Sequence, residues 1–99
     1  MSVLAIFTYD VKPGRVEEFM TKLAAAASPK FDSEAMPQAV RLYRAADQFV
    51  LHIEYENMAV YEARTAFEKS NAEWQELFAA KADSPESLVS VQLLTEIKH

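Results

Sequence analysis

The chain of 99 residues is 51% hydrophobic, contains no cysteine, and carries 15 acidic against 10 basic residues, which gives a net charge of −5. This length predicts one domain over residues 1–99, whose small core would gain stability from association with a second copy. The composition excludes disulfides and cysteine metal sites, and it gives us no reason to expect a nucleic-acid or membrane partner, because basic patches and apolar runs of ~18 residues are missing.

The first predicted element is a strand, VLAIFTYDV, from Val3 to Val11. Both alternating sets of its side chains are largely apolar, which indicates a strand covered on both faces. The beginning of the sequence lacks the basic leader and small-residue cleavage site of a secretory signal, so we expect a cytoplasmic protein.

Gly14, the only glycine, follows in the sequence Lys12-Pro13-Gly14. Phosphate-binding loops and dinucleotide-binding fingerprints need several glycines, whereas a tight turn needs a proline followed by one residue with positive φ. We therefore predict a strand-to-helix turn.

A helix is predicted over residues 15–27, because apolar side chains recur there at the spacing of one buried stripe. These side chains are Val16, Phe19, Met20, Leu23 and Ala27. Residues 28–37 contain two prolines and no clear period. We predict a loop there, with a helical turn over residues 33–36, that forms the rim or lid of a binding site.

Two strands, residues 38–46 and 48–56, are predicted to form a tight hairpin around Asp47. Asn57 is a suitable N-cap for a second helix over residues 58–69, with an inner stripe of Val60, Ala63 and Phe67. A capping box from Ser70 to Glu73 predicts a third, short helix that buries Trp74, Leu77 and Phe78. The last strand is predicted over residues 88–97, with Val89, Val91, Leu93 and Ile97 on one face and Ser90, Gln92 and Glu96 on the other.

The element order β-α-β-β-α-β predicts a ferredoxin-like α+β fold, in which helices cover one face of a four-stranded antiparallel sheet. The other face needs a cover, since the first strand is apolar on both sides. The same face of a second copy provides it, so we expect a homodimer.

Two segments carry a family resemblance. TYDVKPGRVEEFMTKL is similar to a first strand and helix in which a VKPG turn precedes an acidic pair and a phenylalanine. EYENMAVYEARTAFEKSNAEWQELFA, with its AEWQ step, is similar to a second helical region with a PEW step. On these segments the chain resembles the dimeric α/β-barrel superfamily, in particular its NIPSNAP-like members and, less closely, its antibiotic-biosynthesis-monooxygenase branch. The resemblance implies that two ferredoxin-like subunits pack sheet against sheet into an α/β barrel.

The monooxygenase branch activates electron-rich aromatic substrates toward oxygen without flavin or metal, so the resemblance implies no cofactor. Haem-degrading relatives use an asparagine in the first strand, a histidine in the second helical region and a tryptophan. This chain offers Phe7, Thr8 and Tyr9 in the first strand and Arg64 and Lys69 in the helical region, and only Trp74 has a counterpart. Haem degradation is therefore not expected.

Six side chains are candidates for a functional site. His52 and Tyr43 are candidates for catalysis, since an imidazole can shuttle protons and a phenol beside an arginine can hold a phenolate or carboxylate. The candidates for ligand binding are Trp74, Tyr9, Arg41 and Gln92.

Three of these candidates also have a structural interpretation. His52 can be an interface histidine bonded to its neighbours, Arg41 can pair with acids or solvent, and Trp74 can anchor the core. His52 shares its strand face with Glu54 and Glu56, but strand-end glutamates are usually solvated, so we expect no metal site. The other histidine, His99, ends the sequence.

Two classes of function remain open. The first is an enzyme, such as a cofactor-independent oxygenase or isomerase, that acts on a hydrophobic or aromatic small molecule in a cleft between sheet and helices. The second is a non-catalytic ligand-binding or interaction module, which the absence of a complete catalytic constellation favours.

Overall fold

The computed structural model describes residues 1–98, so His99 lies outside the described range. The elements, in chain order, are β1 (Val3–Val11), α1 (Val16–Ala26), a 3-10 helix (Pro29–Phe31), β2 (Ala39–Ala45), β3 (Gln48–Tyr55), α2 (Met58–Ser70), α3 (Ala72–Leu77) and β4 (Glu86–Thr95). This order confirms the predicted β-α-β-β-α-β pattern.

The four strands form one sheet in the order β2-β3-β1-β4. Every neighbouring pair is antiparallel. The central strands are thus β1 and β3, while β2 and β4 are the edges. The predicted ferredoxin-like α+β fold is confirmed.

The core lies between the helices and one face of the sheet, which we call the helix side. Phe19 of α1 is fully buried, and its ring centroid lies 5.1 Å from that of Tyr9 and 5.5 Å from that of Phe49. A second cluster forms where α2 packs on Val3, Ala5 and Tyr55 through Met58, Val60 and Tyr61. Because Val3, Ala5 and Tyr9 point to the same side of β1, both helices cover the same face.

The turn between β1 and α1 is built as predicted. The Arg15 N–H donates to the Lys12 carbonyl oxygen at 3.1 Å, and Gly14 has a φ of 76°. A proline followed by a residue of positive φ is typical of a type II turn. A Cβ atom at Gly14 would meet no protein atom within 4 Å, so the positive φ, and not close packing, accounts for the glycine.

Two predictions about helix starts are wrong. The helical turn in the 28–37 loop spans Pro29–Phe31 and not residues 33–36, because the Ser28 hydroxyl accepts from the Lys30 N–H and Pro29 presets the first φ. The third helix is capped by Asn71 and not by a box from Ser70: the Asn71 side chain accepts from the Trp74 N–H at 3.0 Å.

The helical stripes also differ from prediction. On α1, Met20 and Ala27 are exposed, although Phe19 is buried. On α2, Ala63 is exposed and Arg64 is the buried residue. A charged residue enters the interior because its polar atoms find partners there, which no apolar periodicity can indicate.

The faces of β4 are shifted by a bulge. Ser90 lies opposite Thr8 while Leu88 lies opposite Tyr9, so Val89 is the extra residue, and the bulge brings Leu88 to the same face of the sheet as Val91 and Leu93. The strand ends at Thr95, which leaves Ile97 beyond it.

Candidate functional site

Four predicted site residues gather on the face of the sheet that no helix covers, which we call the open face. Arg41 lies opposite His52 on the neighbouring strand, and Ile6 lies opposite both His52 and Gln92. One row of side chains therefore crosses all strands from Arg41 to Gln92. Tyr43 stands beside this row, with its ring centroid 4.9 Å from that of His52 and the ring planes inclined by 60°.

This row lies among apolar side chains and is open to solvent. Leu4, Val50 and Leu94 belong to the same face, and Tyr43 is half exposed. Within residues 1–98, the side chains of Arg41 and His52 form no hydrogen bond or ion pair with another side chain. In a single chain, the polar groups of Arg41 and His52 can therefore bind a ligand or a second copy of the chain.

The other two predicted residues lie on the opposite side of the sheet. Tyr9 is buried under α1, and Trp74 packs in the helical layer, with its ring 5.2 Å from Phe31 and 5.0 Å from Phe78. The sheet separates them from His52 and Tyr43. The six candidates therefore do not form a single site.

The most buried charged group is Arg64, which the sequence did not indicate as a site residue. Arg64 was considered only because haem-degrading relatives have a histidine in the same helical region. Arg64 is 4% exposed. One terminal nitrogen donates to the Phe31 carbonyl oxygen at 2.6 Å and to the Ser33 hydroxyl at 3.2 Å, and Nε donates to a Glu68 carboxyl oxygen at 3.0 Å. Its guanidinium carbon lies 5.4 Å from the Trp74 ring centroid. The only sequence signal is that Arg64 falls four residues after Val60 of the predicted stripe.

Three titratable groups face the same interior. Burial raises the pKa of Glu68, and the hydrogen bond from Arg64 only partly opposes this. Burial, reinforced by the charges of Glu86 and Glu68, raises the pKa of Tyr9 to about 12. Burial and the charge of Glu68 raise the pKa of Tyr55 to about 12. Both phenols are therefore hydrogen-bond donors at neutral pH, and Glu68 lies within electrostatic range of each.

The hydroxyls of these tyrosines have no protein partner. Tyr9 is 8% exposed and Tyr55 is 4% exposed, yet neither hydroxyl bonds with another group of residues 1–98. In that part of the chain, no partly or fully buried side chain has a nitrogen or oxygen that is both unbonded and sealed from solvent. Each hydroxyl oxygen therefore keeps a small exposure to solvent.

Two clefts open elsewhere on the surface. One, of about 280 Å³, lies beside Trp74 and is lined by Ala25, Lys30, Phe31, Glu73, Glu76 and Leu77. The Lys30 ammonium and Glu73 carboxylate pair at 2.7 Å on its rim. The other, of about 230 Å³, lies at one end of the open face and is lined by Ser2, Leu4, Glu54, Leu94, Thr95 and Glu96. Neither is lined by Tyr9 or Tyr55.

Metal-ligand clusters and membrane-spanning helices were both sought among the described residues. Residues 1–98 contain no group of three or more histidine, aspartate or glutamate side chains placed to hold a metal ion. Among the same residues, no helix is long and apolar enough to cross a membrane.

Comparison with known proteins identifies relatives in fold. No protein-family model matches the chain, and no curated protein matches it. A candidate antibiotic biosynthesis monooxygenase from Bordetella bronchiseptica is 22% identical, with a TM-score of 0.67 over 98% of both chains. A NIPSNAP-like domain protein from Burkholderia xenovorans is 22% identical, with a TM-score of 0.63 over 97% of this chain and 85% of that one. SnoaB, a cofactor-independent oxygenase from Streptomyces nogalater, is 14% identical, with a TM-score of 0.72 over 99% of this chain and 95% of its own.

These comparisons confirm the predicted resemblance at the level of the fold. The solved structures include monooxygenase-like and NIPSNAP-like proteins, the two groups that the sequence resembles. Sequence identities this low establish a shared fold, and function has to be argued from the side chains of this chain.

Proposed function

We propose that this chain is a homodimeric α/β-barrel protein that binds a hydrophobic or aromatic small molecule and transforms it as a cofactor-independent monooxygenase or isomerase. The observation that carries the proposal is an uncovered apolar surface on the helix side of β4. Its residues, Leu88, Val91 and Leu93, are 53, 51 and 40% exposed. We call this surface the β4 trough.

The β4 trough has the composition of a small-molecule site. Leu88, Val91 and Leu93 lie opposite Tyr9, Phe7 and Ala5 of β1, so this exposed apolar strip of β4 lies next to the buried ring of Tyr9. Small-molecule sites are mostly apolar, with a few polar groups that orient the ligand. An aromatic ligand can lie on this strip with one oxygen near Tyr9.

The fold comparison supports the choice of chemistry. SnoaB is a cofactor-independent oxygenase, and the similarity in fold extends over 99% of this chain. Chemistry of that kind needs an apolar site and a few polar side chains, and no cofactor-binding motif. Fold analogy is a weaker argument than a site, so the proposal depends on the β4 trough.

A homodimer would cover the open face. Leu4, Ile6 and Leu94 would meet their counterparts across the interface, and Arg41, His52 and Gln92 would become polar groups within it. In this arrangement the row sets the register of the two sheets, while Tyr9 and Trp74 belong to the ligand site. A catalytic role of His52 and Tyr43 would require a second site at the interface.

The ligand can be sought with Trp74 as the reporter, since it is the only tryptophan. Purified protein is titrated with phenols, quinols, polyketide-like aromatics and haem, and every compound that quenches Trp74 is then assayed for oxygen uptake. We expect saturable quenching by an aromatic compound. Val91→Lys should weaken binding at least tenfold, whereas the control Val40→Lys, on the opposite edge strand and similarly exposed, should not.

A non-catalytic binding or interaction module is the second candidate function. It is favoured by the separation of His52 and Tyr43 from Tyr9 and Trp74 by the sheet, since no single site then collects the groups that catalysis needs. Turnover that disappears in His52→Ala while the dimer persists would exclude this candidate. Saturable binding without turnover of any bound compound would favour it.

A further inference from the structure

The 28–37 loop holds the buried Arg64 through three acceptors, and one of them is a methionine sulfur. The same terminal nitrogen, Nη1, donates to the Phe31 carbonyl oxygen at 2.6 Å, to the Ser33 hydroxyl at 3.2 Å and to the Met36 sulfur at 3.3 Å. This nitrogen carries only two hydrogens, so at least one of them is shared between acceptors. Because a thioether sulfur is a weak acceptor, the contact with Met36 is the weakest of the three.

Arg64 has further donors that the protein leaves unused. Its Nε donates to a Glu68 carboxyl oxygen at 3.0 Å, but within residues 1–98 no hydrogen bond involves the second terminal nitrogen, Nη2. Arg64 is only 4% exposed, so water has little access to these hydrogens. A stronger acceptor attached to the Met36 sulfur would therefore meet a largely desolvated cation with donors to spare.

Met36 is open to an oxidant from solution. It is 40% exposed, nearly the same as Met20 on α1, which is 42% exposed. The sulfur of Met20 forms no hydrogen bond within residues 1–98, whereas that of Met36 is held by Arg64. The loop is shaped for this contact, because the Ser33 hydroxyl donates to the Ala35 carbonyl oxygen at 2.8 Å just before Met36. The two methionines therefore differ in their neighbours and not in their access to solvent.

We propose that Met36 is a site of reversible oxidation by a peroxide, and that its sulfoxide oxygen accepts from Arg64 and fastens the 28–37 loop more tightly to α2. The sulfur attacks one peroxide oxygen, the O–O bond breaks, and the other oxygen leaves as water with the proton of the transferred oxygen. The sulfur loses the two electrons that reduce the peroxide, and methionine sulfoxide reductases reverse the change.

The direction of the effect is unusual for this modification. A sulfoxide is polar, so its formation commonly disrupts apolar packing. At Met36 the polar product lies beside a buried guanidinium, and a weak acceptor is exchanged for a strong one. This inference goes beyond the proposed function and does not depend on it.

Trypsin cleavage after Lys30, in the same loop, tests the proposal, because its rate follows the fraction of molecules in which the loop is open. The unmodified protein, Met36→Leu and Met20→Leu are each treated with dilute hydrogen peroxide, and peptide mass spectrometry locates the sulfoxides. We expect oxidation to slow this cleavage about three- to tenfold, the worth of one hydrogen bond, in the unmodified protein and in Met20→Leu. It should not slow cleavage in Met36→Leu.

Leucine has nearly the volume of methionine, so Met36→Leu should fold, and its melting temperature checks this. A second measurement needs no variant: treatment of the oxidised unmodified protein with both methionine sulfoxide reductases should restore the original cleavage rate. The inference is wrong if Met36 resists peroxide while Met20 is oxidised. It is also wrong if oxidation speeds cleavage after Lys30, or changes the cleavage of Met36→Leu as much as that of the unmodified protein.

Discussion

The Arg64 guanidinium donates to the Phe31 carbonyl oxygen at 2.6 Å and so fastens α2 to the 28–37 loop. The same group bonds the Ser33 hydroxyl and the Glu68 carboxylate. The loop that the sequence predicts as a lid is therefore tied, in this structure, to a single buried charge. Any opening of that loop has to break these bonds.

Replacement of Arg64 by methionine should destabilise the protein by about 3 kcal/mol, because it leaves the Glu68 carboxylate without its partner in a largely buried position. Urea denaturation measures the change. Trypsin should also cleave sooner after Lys30, since the loop loses its attachment. Arg41→Met is the matched control: this arginine is exposed, has no ion pair within residues 1–98, and should change stability little. Equal stability of the two variants would contradict the structural role of Arg64.

The fold could be predicted from the sequence because its signals are local. The apolar run of β1, the stripe around Phe19 and the N-cap at Asn57 each act over a few residues, and each gave the right element. The Arg64 contacts could not be predicted, since its main partner, Phe31, lies 33 residues away and is a backbone carbonyl. Every residue has a backbone carbonyl, so the residue type does not indicate which carbonyl accepts a hydrogen bond.

The candidate site was only half predictable for a related reason. Alternation along β3 placed His52 on one face correctly, but the row from Arg41 to Gln92 depends on the register of strands that are distant in sequence.

Phe19 and Met20, adjacent on α1, should respond very differently to truncation. Phe19 is fully buried between Tyr9 and Phe49, so Phe19→Ala should cost about 3–5 kcal/mol. Met20 is 42% exposed, so Met20→Ala should cost less than about 1 kcal/mol. The free energy of unfolding in urea distinguishes them. The sequence pattern alone predicts that both are buried, so a similar cost for both would favour that pattern over the structure.

Ala46→Gly should stabilise the β2–β3 hairpin. Ala46 has a φ of 56°, a conformation that side chains disfavour and glycine adopts without strain. We expect a gain of up to about 1 kcal/mol, reduced by the greater freedom of glycine in the unfolded chain. Ala45→Gly is the control: it lies at the end of β2 without positive φ and should destabilise. A loss of stability in Ala46→Gly would show that the strain is absent in solution.

Glu68 and Glu18 should affect the pH dependence of stability in opposite directions. Burial raises the pKa of Glu68, so the folded state binds this proton more tightly and stability falls as pH rises from the ordinary glutamate pKa through the raised one. The hydrogen bond from Arg15 lowers the pKa of Glu18, so its stabilisation is present above the ordinary pKa and is lost as pH falls through the lowered one.

Urea denaturation from about pH 4 to 7 tests these signs, because it spans the ordinary glutamate pKa. Relative to the unmodified protein, Glu68→Gln should gain stability as pH rises, and Glu18→Gln should lose it. The Glu18 effect should also shrink at high salt, because that ion pair is exposed. Parallel pH profiles for the two variants would contradict the assigned causes.

The homodimer can be disrupted at the centre of the open face. Ile6 lies between His52 and Gln92 in the row that crosses the sheet, so a second copy packed on this face would bury it. Ile6→Glu should give a monomer in sedimentation experiments, since a desolvated carboxylate without a partner costs several kcal/mol. Met20→Glu, the same change in charge on the exposed side of α1, should leave the dimer intact. An unmodified protein that is already monomeric, or an Ile6→Glu variant that remains dimeric at the same concentration, would show that the open face is not the interface.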